Sequence, residues 1–350
     1  MQPKTLKKIL VLLLVWIFFP ILVLLLVGVF FPLASQTDAP PSQWKVPLSP
    51  NRVFKVFSYL LNCLYENLTG PFIPSIVQYG WHKLSSQRKK ITVKKNIKYS
   101  SRNRLDIYFP DRTSTRNSQV FFDHPGLSQN ANMTSPSLVE SPVIIFISSS
   151  WISGNKTTCM PVAHNLQSQG YIVVVPDITL YPKVYDLLRE RLLKWFPTFN
   201  NAFNGHIVIL STQFRGDPSQ IYLMGHSAGA LLSALTVIHD ACAILHALPI
   251  NTTDVRIPVC GNTNGRAGLP RIQGLILFSG VYDTTYHYAY LHQRGLEQVH
   301  AMPRVMGNTP ESLLQCSPTY LLNYAFNNSQ HRAQLRMLLP RKVVLIHGDK

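Results

Sequence analysis

Ile221-Tyr222-Leu223-Met224-Gly225-His226-Ser227-Ala228-Gly229-Ala230-Leu231-Leu232 joins two patterns of different period. The run Ile221–Met224 has the short apolar, β-rich character of a buried parallel strand. From Ala228 to about Leu248 the apolar residues recur as in a helix. Between them lies Gly225-x-Ser227-x-Gly229, and a G-x-S-x-G held between strand and helix is the context of a nucleophile elbow. Such a turn forces Ser227 into a strained backbone conformation. The residues two before and two after, Gly225 and Gly229, must then be small. The serine Oγ stands above the C-terminal strand ends, with the helix dipole starting at Ala228 beneath any developing oxyanion.

Outward from the elbow, strand-like and helix-like segments alternate from about residue 97, which implies a mostly parallel sheet covered by helices. Strands are expected at Leu105–Phe109, Val143–Ile147, Ile172–Val175, Leu275–Phe278 and Val343–Ile346. Helices are expected at Met160–Gln169 and Asp186–Phe196, and polar loops at Thr113–Pro142 and Asn251–Arg271. Between Arg88 and Arg104 basic residues alternate with Ile91, Val93 and Ile97, as on an edge strand whose lysines discourage edge-to-edge pairing.

Phe214 to Ala230 resembles the elbow of α/β-hydrolase esterases, in the branch of isoprenylcysteine methylesterase-like and feruloyl-esterase-like carboxylesterases, with kynurenine formamidase nearby. Four further segments are similar in the same order: Trp151-x-x-Gly154-x-Lys156, Gly170 to Asp177, Leu277 to Asp283, and Glu311-Ser312-Leu313 with Ser317-Pro318. The resemblance covers roughly residues 97–350 and implies an α/β-hydrolase fold with Ser227 as nucleophile and no cofactor or metal. It implies an oxyanion hole at the loop after Val143–Ile147 and at Ala228, for which this sequence offers N–H groups of Ser148, Ser149 and Ala228 and a serine hydroxyl. Ser150, Trp151 and His226 are candidates for lining the substrate pocket, although His226 flanks the nucleophile and points away from it.

Three departures stand out. The family's H-G-G-x-W or T-G-G-x-W loop reads Ile147-Ser148-Ser149-Ser150-Trp151 here, and serine restricts a backbone that glycine leaves free. Thr179 replaces the arginine of a D-Y-R-L segment. In this fold the triad runs Ser, acid, His, and the acid is expected after Val343–Ile346 in a G-x-x-D turn. Gly348-Asp349-Lys350 supplies the first three residues of that turn. The last strand and helix, with the acid and base, are therefore expected beyond Lys350. Asp349 is a fallback acid with unsuitable spacing, and His287 or His292 would break the order.

Ahead of this region, Ile9–Leu33 is apolar and interrupted only by Pro20, Gly28 and Pro32. It exceeds the about 20 helical residues that cross a bilayer core and the roughly 7–15 of a signal-peptide h-region. An uncleaved anchor is expected, with residues 1–34 as cytosolic tip and span, 35–96 as a membrane-proximal segment, and 97–350 as the hydrolase domain. Lys4, Lys7 and Lys8 before the span favour a cytosolic N-terminus and a lumenal domain in the endoplasmic reticulum or another secretory membrane. Sequons at Asn67, Asn132, Asn155, Asn251 and Asn327 agree with that side, and a glycan on Asn155 would crowd the site. Within the second segment, Val53, Phe54, Phe57, Leu60, Leu61, Leu64 and Tyr65 share a helical face. That face packs on the main domain or lies on the bilayer.

The chain has 33 Lys+Arg against 16 Asp+Glu, a formal charge of +17, 46% hydrophobic residues and 14% charged ones. Disorder is excluded by the apolar share. Basic residues crowd between Lys45 and Arg104, where Glu66 is the lone acid, and no nucleic-acid-binding signature accompanies them. A bilayer is therefore the expected partner, together with a small lipophilic ester. Cys63, Cys159, Cys242, Cys260 and Cys316 are odd in number and lack metal-site spacing. Two functions remain open at this stage: a membrane-anchored serine esterase, or a catalytically dead α/β-hydrolase fold that binds or scaffolds.

Overall fold

A computed structural model describes residues 51, 53–58, 61, 80–81, 92–99, 103–110, 141–151, 154–178, 180, 216–245, 269–297, 300–327 and 329–348. The expected span, the helix at 186–196 and most of both polar loops lie outside these residues. Among the described residues no helix is long and apolar enough to cross a membrane. The chain forms two compact units: residues 1–76 with 285–304, and residues 77–284 with 305–350.

The larger unit is built on one sheet whose strands are β1 (Val93–Lys98), β2 (Arg104–Tyr108), β3 (Ser141–Ser149), β4 (Ile172–Pro176), β5 (Gly216–Ser227), β6 (Ile272–Phe278) and β7 (Lys342–Ile346). They lie in the order β1-β2-β4-β3-β5-β6-β7. β2 runs antiparallel to both neighbours, and every pairing from β4 to β7 is parallel. That order, with one antiparallel strand near the edge and a strand–elbow–helix at its centre, is the α/β-hydrolase fold. All six expected strands are present, as is the edge strand carrying Lys94, Lys95 and Lys98. β3 starts at Ser141, inside the expected loop, because Ser141 already pairs with Gly216.

Side chains alternate across each strand, and the two faces of the sheet are covered differently. Helix α1 (Met160–Ser168) covers one face, where Ile144 and Phe146 of β3, Val173 and Val175 of β4, Met224 of β5 and Tyr108 of β2 form a core with Cys159 and Ala163. By alternation Ile145, Ile147 and Leu223, all fully buried, face the other side. Helix α2 (Ala228–Ile244) packs there against β3, β5 and β6. α1 ends where Gly170 takes φ +97, with Gly170 N–H donating to Gln167 O and Tyr171 N–H to Leu166 O. This is the paired closure of a Schellman cap.

Helices α3 (Thr284–Gln293), α4 (Ala301–Val305), α5 (Pro310–Gln315), α6 (Pro318–Asn327) and α7 (Ser329–Leu338) complete the described elements. None of these is anticipated by the sequence reading. Thr309 caps α5 in a reciprocal box with Ser312, the hydroxyl of each meeting the other's backbone N–H. In the smaller unit, residues 53–58 are helical, with Val53 and Val56 buried and Lys55 exposed; Phe54 and Leu61, expected on the apolar face, are exposed instead.

His239 on α2 is the larger unit's most perturbed histidine. Burial pushes its imidazole down to about 4 from 6.5, against an opposing backbone hydrogen bond with Gln315. The unfolded chain takes up a proton below 6.5 that the folded chain refuses until about 4. Stability is therefore full above 6.5 and falls as pH drops through that window. Melting temperatures measured between pH 8 and pH 4 should show this loss, and His239→Gln should flatten part of it.

Candidate active site

Ser227 is the last residue of β5, and Ala228 is the first of α2. No loop separates them. The reversal is taken up by Ser227 itself at φ 56, a left-handed conformation that non-glycine residues adopt rarely and at a cost of about 1–3 kcal/mol. The two flanking glycines make the turn possible. A Cβ at Gly229 would lie 2.1 Å from the Ile147 carbonyl oxygen, and one at Gly225 would lie 2.5 Å from the Ala230 Cα. Helix start and strand end are pressed together at both points, as the spacing of the motif requires.

The remaining sequence-predicted residues gather at the same end of the sheet. Ser148 and Ser149 close β3 and pair with His226 and Ser227 across the β3–β5 ladder. Parallel strands lie about 4.8 Å apart, so this pairing sets the Ser149 backbone beside the nucleophile. Ala228 is buried, and its N–H belongs to the first turn of α2, where backbone donors lack partners within the helix. Ser150 and Trp151 follow directly and are half-buried. His226 is exposed, its pKa lowered by desolvation. Its Nδ1 shares a 3.2 Å hydrogen bond with Ser148 Oγ, so the ring is engaged on the α1 face.

A polar group around the buried Lys156 and Asp106, which the sequence reading did not assemble, anchors the segment after this loop. Gly154, at φ +109, lies against β3, where an added Cβ would stand 3.0 Å from the Ser149 Cα. Two residues on, the buried Lys156 points its Nζ at Asp106 Oδ1 of β2 (2.8 Å) and Asp177 Oδ2 beyond β4 (3.7 Å) and donates to Asn96 Oδ1 (2.6 Å). Its backbone N–H donates to Asp177 Oδ1 at 2.8 Å. Asn96 sits at φ 60 in a β1 bulge, and its N–H donates to Asp106 Oδ1 at 2.7 Å. Lys156 and Asp177 each belong to a segment noted for its resemblance, but sequence alone gives no sign that they meet.

Asn155, the sequon residue beside the site, is exposed, and its Oδ1 accepts from the N–H groups of Thr157 (3.0 Å) and Thr158 (3.2 Å). Asn327 is exposed at the end of α6. Asn67, Asn132, Asn251, Thr179 and Asp349 lie outside the described residues. His287 and His292 are on α3 in the smaller unit. Cys159, Cys242 and Cys316 are buried free thiols. Among the described residues no group of three or more His, Cys, Asp or Glu could hold a metal ion.

No protein-family model matches the chain. It is similar to curated plant proteins of the branch already indicated by its motifs. One from Oryza sativa subsp. japonica, named "probable isoprenylcysteine alpha-carbonyl methylesterase", is 25% identical over 297 residues, covering 83% of this chain and 55% of that protein. The isoprenylcysteine alpha-carbonyl methylesterase of Arabidopsis thaliana is 24% identical over 229 residues, covering 64% of this chain and 42% of that protein. The chain thus spans about half the length of these relatives or less. Among solved structures, esterase B from Lactobacillus rhamnosis inhibited by a tributyrin phosphonate aligns at TM-score 0.44 and 16% identity, over 77% of this chain and 82% of that one.

Replacing Lys156 with alanine would leave Asp106, only 4% exposed, as a buried carboxylate without its cation. Removing one partner of such a pair costs about 3–5 kcal/mol. Denaturant unfolding of the Lys156→Ala protein should show a loss of that size, and a loss below 1 kcal/mol would mean that water replaces the lysine.

Proposed function

We propose that this chain, an α/β-hydrolase similar to the isoprenylcysteine methylesterases, is the core of a serine hydrolase acting on carboxylic esters. The observation that carries this reading is Ser227 at φ 56, clamped by Gly225 and Gly229 at the strand–helix junction. A serine without a chemical task has no need of that strain. In the proposed reaction Ser227 Oγ attacks the ester carbonyl carbon and gives up its proton to a general base. The carbonyl electron pair moves onto oxygen, where N–H groups of the Ser148–Ser149 segment and of Ala228 stabilise it. Collapse of the intermediate expels the alcohol, which takes the proton, and water then frees the acyl group by the same steps.

His226 is turned to Ser148 and is not assigned as the base. In the fold's order the acid and base come after Ser227 in sequence, the acid following the strand equivalent to β7. The substrate we propose is a lipophilic ester, with a prenylcysteine methyl ester first to be tried, because the relatives carry that name and Ile9–Leu33 would hold the enzyme at a bilayer. A lumenal hydrolase domain follows from the lysines ahead of that stretch.

Fluorophosphonate labelling of membranes containing the full-length protein tests the chemistry. Labelling should occur on the wild-type protein and vanish in Ser227→Ala. Its absence from both would leave a non-catalytic binding protein. Orientation is tested by gel mobility: a glycosidase-sensitive shift that shrinks in Asn327→Gln is expected, and no shift in any form would favour the cytosolic side.

A further inference from the structure

The serine-substituted loop carries two hydroxyls, and the structure distinguishes them. Strand alternation sends adjacent side chains to opposite faces. Ser148 lies on the α1 face, and its Oγ is occupied by His226 at 3.2 Å. Ser149 lies on the face of α2, paired across the ladder with Ser227. Ser149 is 5% exposed, and its buried Oγ has no hydrogen-bond partner among the described residues.

An unpaired buried hydroxyl costs about 1–3 kcal/mol, so its place beside a strained nucleophile calls for a reason. Gly154 closes on Ser149 from the far side, its added Cβ 3.4 Å from the Ser149 Cβ. That contact and the ladder fix the Ser149 backbone. One rotation about χ1, among three staggered wells, remains to aim the O–H.

We propose that the Ser149 hydroxyl is a side-chain oxyanion donor: unpaired in the resting site, it hydrogen-bonds the negative oxygen that forms when Ser227 adds to the ester carbonyl. The proposal rests on the serine-hydrolase reading above. The hydroxyl keeps its proton throughout and contributes only a hydrogen bond. Because the resting enzyme does not use that bond, its energy is realised in the transition state alone, where it raises rate. The device also accounts for serine at a position where the resembling family has glycine, since the donor lost in backbone freedom is returned by a side chain.

The test compares fluorophosphonate labelling rates of full-length wild type, Ser149→Ala and Ser149→Cys, each with a melting curve. Loss of a single oxyanion donor slows reaction roughly 100- to 1000-fold. Ser149→Ala should label that much more slowly at an unchanged or higher melting temperature, since it deletes an unsatisfied group. Ser149→Cys keeps nearly the same volume with a weak donor and should also be slow, which covers the case of an alanine variant that does not fold. Labelling of both variants at the wild-type rate would overturn the proposal while leaving the hydrolase reading intact. A rate loss only in proportion to lost folded protein would overturn it too. A wild-type protein that does not label would overturn the hydrolase reading, and the proposal with it.

Discussion

The contact between Gly229 and the Ile147 carbonyl is the point on which the larger unit turns. No side chain fits there, since a single added carbon would lie 2.1 Å from the oxygen. The closeness lets α2 start directly off β5 and return across β3 and β6. It also leaves Ser227 as the residue that absorbs the change of direction. Left-handed backbone at a serine persists only where surrounding structure over-determines it. Here that structure is the center of the sheet, with β5 paired along its length to β3 and β6. The strain at the nucleophile is thus held by strands paired on both sides.

The same logic extends to the loop after β3. Its first two residues are still strand, tied to His226 and Ser227 by the ladder, and its far end is tied by Lys156 to Asp106, Asp177 and Asn96. Buried ion pairs are poor sources of net stability, but they impose one geometry, because misplacing a partner strands a charge. A loop that has exchanged flexible glycines for serines gains from being held at both ends. The price of that exchange is lost backbone freedom, and the anchoring makes the freedom unnecessary.

The strands and the elbow were legible because buried parallel strands are short runs of β-branched residues, and because G-x-S-x-G between strand and helix has few other uses. β1 was legible from its lysines. What could not be read were contacts between distant segments: Asn96, Asp106, Lys156 and Asp177 are four polar letters until the sheet order brings β1, β2 and β4 together. Helices α3 to α7 were missed for a different reason. Several are only five or six residues long or begin at proline, too short for a helical period to stand out. The ring of His226, one residue before the elbow serine, meets Ser148 Oγ. The sequence did not indicate that contact.

Sheet order also bears on the charge. Lys94, Lys95 and Lys98 lie exposed on β1, at the edge of the sheet, and Asn96 introduces a bulge between them. Charged side chains and a bulge are two of the means by which edge strands avoid pairing with other chains. That part of the basic excess has a sufficient cause within the fold and needs no anionic partner. The opposite edge is unlike it. β7 exposes Val343, Val344, Leu345 and Ile346, so after Lys342 at its start both of its faces are apolar. One edge of the sheet is built to remain an edge, whereas the other has the composition of an interior strand.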